Sequence, residues 1–474
     1  MASFIIYCRN ADNLHRTLCD LVDKTPPQVL QEIILCDDGP VGLSAESYLY
    51  DDVRHKITVI ASNCIGKSQA WNRAGRLAKS SHLVFLTQAM KFGSDWWLEL
   101  EKQFAPKRLL SPVTYPLDVG LWATESHGCR RYGMRWDLSV YNRKLGSRSP
   151  LAAYCMIIEK DFWEQIGGFD DQADVGPGDN ICLSLKVWMA GGEIVVVDDS
   201  YVAVVHEVEA GSKRNLARLV EAWFPKYAGL FYDMAGIARG SLDLGRLNNL
   251  VQFAESSERS SQEWLENLHP ELLGVHKLRG LAQGERIAIV GDGPSLDYIN
   301  WSTINSHDLV IAIDYIGLLF DCDFVVTESL DVVSELRAKY SDKQLIVPYV
   351  LEHKIAGEYV TATEAVPGAT AFELGEIRQV NSEFPPFCNF GTCVHMALHL
   401  ALFMQPRSIS LFACDNKIIA GKSHTSRSEF YNGGEIWADS DHSRKRFSFY
   451  EVGVAQLSKL ALRLGIPVIR IGHA

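Results

Sequence analysis

Short apolar runs alternate with amphipathic helical stretches through the first half of the chain, a rhythm that buries strands in a mainly parallel sheet covered by helices. Ser3 to Tyr7 reads as a strand, His15 to Asp23 as a helix and Glu32 to Cys36 as a second strand. Ile57 to Ile60, Gln69 to Ala78 and Leu83 to Leu86 continue strand, helix, strand, predicting a doubly wound α/β domain over residues 1–210. After His206 strand signals stop, and from Asn215 to about Gly274 apolar residues fall at helical spacing, so residues 211–280 are expected to be a helical connector. Strand patterns resume at Arg286 to Val290, Leu309 to Ile313, Phe324 to Thr327, Gln344 to Pro348, Ser408 to Ala413 and Pro467 to Ile471, predicting a second Rossmann-like α/β domain over 281–474. A chain of 474 residues exceeds what one core usually organises, in keeping with two domains. The two halves share no internal match and read as different folds joined together.

With 47% hydrophobic and 22% charged residues, extensive disorder is excluded. No stretch approaches the apolar length of a membrane span, and the start lacks a basic region followed by a long apolar run, so no membrane partner and a cytoplasmic location are expected. The 11 cysteines are scattered singly, without metal-ligand spacing, which suits a reducing compartment and no structural zinc. A formal net charge of -12 argues against bulk attraction to nucleic acid or anionic membranes and leaves only local patches to act that way.

Cys36-Asp37-Asp38-Gly39 places two carboxylates and a glycine at the carboxyl edge of the sheet, where open α/β domains bind ligands. An ordinary strand-end turn has the same composition. Asn63, Gly66, Ala70, Asn72 and Gly75 follow at the spacing of family-2-type glycosyltransferases. Gly66 can let the backbone approach a diphosphate and Asn72 can hydrogen-bond a nucleotide, while a capped helix accounts for Asn63 and Gly66 alone.

Gly168-Phe169-Asp170, Gly176-Pro177-Gly178-Asp179-Asn180 and Ser184 to Gly192, together with Glu32 to Asp38, resemble in order the polypeptide N-acetylgalactosaminyltransferases over roughly residues 3 to 208. The resemblance implies a GT-A fold and a uridine-diphosphate sugar donor. It places Asp179 beside the reacting centre, where a carboxylate can deprotonate or orient an acceptor hydroxyl; Asp179 can equally cap the helix that follows it. His206 falls near the family's downstream metal histidine. It can ligate a metal, act as a base, contact the diphosphate or be a satisfied histidine at a strand end. The family's Asp-x-His metal motif is replaced by Thr87-Gln88-Ala89, which puts divalent metal (Mn or Mg) binding in question.

Arg130, Arg131, Arg135, Arg143, Lys144 and Arg148, interleaved with Tyr132, Trp136 and Tyr141 and opposed by Asp137, correspond to the family's acceptor-facing loop. Such a mixture suits phosphate neutralisation and base stacking, and soluble enzymes that glycosylate hydroxymethylpyrimidines in viral DNA resemble this group. DNA with modified bases is therefore the leading acceptor expectation, beside a loop whose arginines serve only the donor. Protein Ser or Thr is the alternative acceptor, and a non-catalytic nucleic-acid or glycan adaptor is the reading of a different class.

In the second domain Ile287 to Val290 runs into Gly291-Asp292-Gly293-Pro294-Ser295, a glycine-rich turn that can offer backbone N–H groups to a phosphate. With Phe390-Gly391-Thr392, Cys414-Asp415 and Gly421 to Thr425, it resembles the family-42 sialyltransferases and flagellin-modifying nonulosonic acid transferases over roughly 285 to 472. That implies nucleotide contacts from Gly291, Gly293, Ser295, Gly391, Thr392 and Asp415, with His424 as a base or a loop cap; a scaffold retaining only the fold is the alternative.

Overall fold

The computed structural model describes residues 1–10, 12–39, 54–63, 65–124, 131–142, 149–152, 154–205, 213–269, 272–274, 277–319, 321–339, 344–348, 350–352, 359–361, 369–372, 374–375, 387–388, 392–415 and 441–472. They form two compact units, Met1–His269 and Pro270–Ala474.

In the first unit, strands β1 (Ala2–Cys8), β2 (Leu30–Asp37), β3 (Ile57–Ala61) and β4 (His82–Thr87) pair in parallel in the order β3-β2-β1-β4. The chain continues through β5 (Met90–Phe92), β6 (Arg108–Asp118), β7 (Ala123–Thr124), an antiparallel hairpin of β8 (Tyr132–Met134) and β9 (Val140–Asn142), then β10 (Met156–Glu159) and β11 (Glu193–Val204). Beyond β4 the sheet runs β10-β6-β11-β5, and β10 is antiparallel to both neighbours, so the sheet is mixed.

All seven residues of β1 are buried, as a near-continuous apolar run requires when helices cover both faces. Alternation along the strand sends Phe4 and Ile6 to one core with Trp96 and Trp97, and Ile5 and Tyr7 to another with Trp71 and Phe85. Helices α1 (Leu14–Lys24), α2 (Lys67–Leu77), α3 (Trp96–Glu101), α4 (Lys160–Gln165) and α5 (Asp179–Met189) supply these cores.

The stretch expected as a connector forms α6 (Arg214–Trp223), α7 (Ala228–Ala235), α8 (Asn248–Ser256) and α9 (Ser261–Leu268), and all four lie in the first unit. The physical reason is a buried ion pair. Arg218 donates from Nε and Nη2 to the two oxygens of Asp170 at 2.7 and 2.9 Å, and also bonds the carbonyls of Leu244 and Arg246.

The second unit holds a wholly parallel sheet of β12 (Arg286–Val290), β13 (Leu309–Ile313), β14 (Phe324–Val326), β15 (Gln344–Pro348), β16 (Thr370–Phe372), β17 (Ser408–Phe412) and β18 (Val468–Ile471). Its order, β16-β15-β14-β13-β12-β17-β18, reverses direction between β12 and β17, which is where such sheets open a crevice. Both units are thus Rossmann-like. Among the described residues no helix is long and apolar enough to cross a membrane.

Arg218 and Asp170 are only 1% and 5% exposed, so removing one charge strands the other in the core. Arg218→Leu is expected to lower the unfolding free energy of the first unit by about 3–5 kcal/mol, measured by urea denaturation followed through tryptophan fluorescence.

Candidate functional site

Strand order in the first sheet reverses between β1 and β4, and the position of the missing metal motif lies at that crevice. Gln88 bridges it. Its Oε1 accepts the backbone N–H groups of Arg9 and Asn10 at 2.8 and 3.3 Å, and its Nε2 donates to the Asn10 side chain. Ala89 is buried and offers no ligand, and Thr87 offers a neutral hydroxyl. The donor set at 87–89 does not fit a divalent cation, and among the described residues no group of three or more His, Cys, Asp or Glu could hold one. His206 lies outside the described residues.

Three of the expected nucleotide contacts are engaged with the protein's own backbone. The Asp38 carboxylate is fully buried and accepts from the Tyr7 hydroxyl at 2.9 Å and from the N–H groups of Ile65 and Gly66 at 2.8 and 2.9 Å. It fixes the entry to α2. Asn72 donates from its amide nitrogen to the Phe169 carbonyl at 3.1 Å and accepts from the Phe169 N–H at 2.9 Å, so its side chain is fixed on this loop. A Cβ at Gly66 would lie 2.9 Å from the Asp174 carbonyl and the Val175 nitrogen, so this glycine admits the loop before α5. Asp37 ends β2 with Oδ1 accepting from the Gly39 N–H at 3.2 Å.

Asp179 stands at the first position of α5, and Lys67 at the first position of α2. Their side chains meet at 3.1 Å with exposures of 10% for Lys67 and 6% for Asp179, and the Lys67 ammonium also lies 5.4 Å from the Trp71 ring centroid. The N-cap of α5 is Gly178, so Asp179 stands one residue inside the helix, in its first turn, and not at the capping position. Lys67 was invisible to motif reasoning, since only the fold joins it to Asp179. The loop that delivers Asp179 is fastened by Gln69 to the Ala173 carbonyl at 2.7 Å and by Asn215 to both Asp174 backbone groups at 2.8 and 2.9 Å.

The basic, aromatic stretch does not present a stacking surface in its described part. Trp136 is 2% exposed and stacks on Tyr227 with centroids 4.4 Å apart, and Tyr132 is 5% exposed. Arg131 binds both oxygens of Asp198 at 3.0 and 3.1 Å, and Arg135 lies 3.4 Å from the Ser139 hydroxyl. Trp136 holds the β8–β9 hairpin against Phe224 and Tyr227 of the helical segment, and Tyr132 packs on Tyr154, so both rings are committed to internal packing. Arg130, Arg143, Lys144, Arg148 and the Tyr141 side chain lie outside the described residues.

In the second unit the glycine-rich turn follows β12 at the crevice, but its N–H groups are taken. Gly291 donates to the Phe412 carbonyl at 2.9 Å and Gly293 to that of Ala413 at 2.8 Å. A Cβ on Gly293 would sit 2.5 Å from both the Ala413 oxygen and Asp415 Oδ2, so the glycines permit two loops to cross closely. Asp415 Oδ2 accepts the Ser295 N–H at 2.7 Å, and the Thr392 hydroxyl lies 3.2 Å from His395 Nδ1. Gly391 and His424 lie outside the described residues.

Beside this turn Asp314, at φ 49, accepts from the Thr327 hydroxyl at 2.6 Å and from the Cys393 thiol at 3.5 Å. Burial, with a smaller push from Asp292, raises its carboxyl to about 6.

The chain matches no protein-family model. It is 24% identical to polypeptide N-acetylgalactosaminyltransferase 11 of Xenopus tropicalis over 312 residues, 57% of this chain and 51% of the relative. It is 26% identical over 317 residues to the inactive polypeptide N-acetylgalactosaminyltransferase-like protein 5 of Mus musculus, 57% of this chain and 70% of that one. The chain spans about half the length of most curated relatives it matches. A crystal structure of GalNAc-T7 with UDP, GalNAc and Mn2+ superposes with a TM-score of 0.50 at 21% identity, over 60% of this chain and 61% of that one.

Two measurements test these placements. Gly66 has φ +92, so Gly66→Ala is expected to destabilise the first unit by about 1–3 kcal/mol through strain and displacement of the 174–175 backbone, read in urea titrations. A carboxyl raised in the fold keeps its proton where the unfolded chain has lost it. Its stabilising contribution is therefore complete below about 4 and lost as pH rises through about 6. Asp314→Asn should flatten the second unit's stability between those pH values in thermal unfolding scans. The first unit has the GT-A glycosyltransferase fold, and its sequence matches N-acetylgalactosaminyltransferase-like enzymes.

Proposed function

We propose that the chain transfers a hexose or N-acetylhexosamine from a uridine-diphosphate sugar to a hydroxyl of a protein or glycan acceptor, using the carboxyl edge of the first sheet. The observation that carries this reading is the buried Asp179–Lys67 pair, formed by the first residues of two helices in a GT-A fold. Relatives named as inactive match as well as those named as transferases, so likeness alone does not carry activity and the site must. Asp179 accepts the proton of the acceptor hydroxyl, or aligns that hydroxyl, while the oxygen attacks the anomeric carbon and the diphosphate leaves.

A protein or glycan hydroxyl is favoured over a DNA base because Tyr132 and Trp136 are buried in packing, and because the relatives bear the name of polypeptide transferases. For the second unit we keep the sialyltransferase-like reading as a fold-level one, with Asp415 and Ser295 bracing the turn.

The test is mass spectrometry of Ser/Thr peptides, glycans and hydroxymethylpyrimidine DNA after incubation with a panel of uridine-diphosphate sugars. Addition of a hexose or N-acetylhexosamine to peptide or glycan is expected, with the DNA arm silent; addition to DNA alone would reverse the acceptor assignment. Asp179→Asn should fold and bind UDP yet lose turnover by about 10²–10⁴-fold. Unchanged turnover would remove Asp179 from the reaction.

A further inference from the structure

We infer that Asn215 is a positioning residue for Asp179: it touches no reacting group, and it sets where the carboxylate stands by gripping the backbone that leads into α5. The inference rests on the role of Asp179 proposed above and deepens it. Asn215 is the second residue of α6 and is 5% exposed, with its side chain turned onto the loop before α5. Its Oδ1 accepts from the Asp174 N–H at 2.8 Å, and its Nδ2 donates to the carbonyls of Asp174 at 2.9 Å and Gly176 at 3.3 Å. One planar amide thus holds both backbone groups of Asp174 and the next carbonyl but one, which fixes the course of residues 174–176.

Other anchors hold the same loop farther back. Arg218 binds Asp170, Arg214 the Gln172 carbonyl and Gln69 the Ala173 carbonyl. Among the described residues, the bond to Gly176 is the side-chain hydrogen bond on this loop closest in sequence to Asp179, and only Pro177 and Gly178 intervene. Two residues span at most about 7 Å, too little chain to absorb a shift of the anchor before it reaches Asp179. A Cβ on Gly178 would lie 3.3 Å from Leu216 Cδ2 and 3.6 Å from the Asn215 Cβ, so the first turn of α6 rests on the residue that caps α5. From the other side Lys67 meets the carboxylate at 3.1 Å. With the backbone grip released, that ion pair does not restore the position, because a flexible lysine stem follows a carboxylate over a range of places. A proton acceptor misplaced by about 1 Å costs on the order of 10²-fold in rate.

The test is turnover of the full chain, read as UDP release from UDP-glucose and from UDP-N-acetylgalactosamine, with a pool of Ser/Thr peptides and with water alone as acceptor. UDP affinity is followed by calorimetry and stability by urea titration. Asn215→Ala removes the grip, and Asn215→Asp keeps its shape and Oδ1 but sets an oxygen against two carbonyls. Both should lower kcat by about 10- to 100-fold with UDP affinity held within about two-fold. Trp223→Phe is the control for loosening of the helix itself, since Trp223 lies on α6 and donates to the Leu250 carbonyl at 3.0 Å, away from the loop. It should lower stability and leave kcat within about two-fold. In an Asp179→Asn background, Asn215→Ala should cost less than about three-fold more, because a residue that acts through Asp179 has nothing left to position.

Unchanged kcat in the Asn215 variants would overturn the inference. So would a loss that carries over in full to the Asp179→Asn background, or a Trp223→Phe variant that loses as much kcat as Asn215→Ala at equal stability. Wild type that releases UDP from neither sugar would instead overturn the donor assignment, and Asp179→Asn with full turnover the role of Asp179; either would take this inference with it.

Discussion

The loop from Phe169 to Gly178 has no strand or helix of its own to satisfy its backbone, and the geometry of the site depends on how those groups are met. They are met by side chains from two helices far apart in sequence. From α2 come Asn72 on Phe169, Gln69 on Ala173 and the bare face of Gly66 against Asp174. From α6 come Arg214 on the Gln172 carbonyl, Asn215 on Asp174 and Gly176, and Arg218 on Asp170. Each bond fixes a short piece of backbone, and together they leave Asp179 little freedom where α5 begins. The helical stretch after residue 213 is therefore half of the clamp on this loop.

Much of the sheet was legible because strands buried on both faces are nearly continuous apolar runs. Arg286–Val290, Leu309–Ile313 and Gln344–Pro348 were bounded correctly from composition alone, and β1 to β4 to within two residues. What escaped was the rest of the first sheet: β5, β6, β10 and β11 were not read as strands, and β10, only Met156–Glu159, is three apolar residues running directly into a helix, with no periodicity to separate it. Its antiparallel insertion between β4 and β6 is set by long-range pairing that no local pattern announces. The site was legible in position and misleading in role. Asp38, Asn72 and Gly66 each meet protein groups that local sequence does not announce: Tyr7 and the entry to α2, the Phe169 backbone, and the Asp174–Val175 backbone. The Lys67–Asp179 pair left no local trace, since neither partner carries a motif that names the other.

The two glycine-rich turns make the same physical point. A glycine lets something approach closely, and the approaching group can be a ligand or another piece of chain. The direction of the N–H groups separates the cases. At Gly291 and Gly293 they point to the carbonyls of Phe412 and Ala413, the exit of β17, so the turn is a weld between the two strands flanking the crevice.

The exchange of a metal motif for Gln88 changes the first unit's crevice in two ways that pull against each other. The amide strut ties the end of β1 to the end of β4 and stiffens the lip of the site, which favours preorganised geometry. On the donor assignment proposed above, a neutral amide there also withholds the counter-charge that a metal ion would bring to a departing diphosphate.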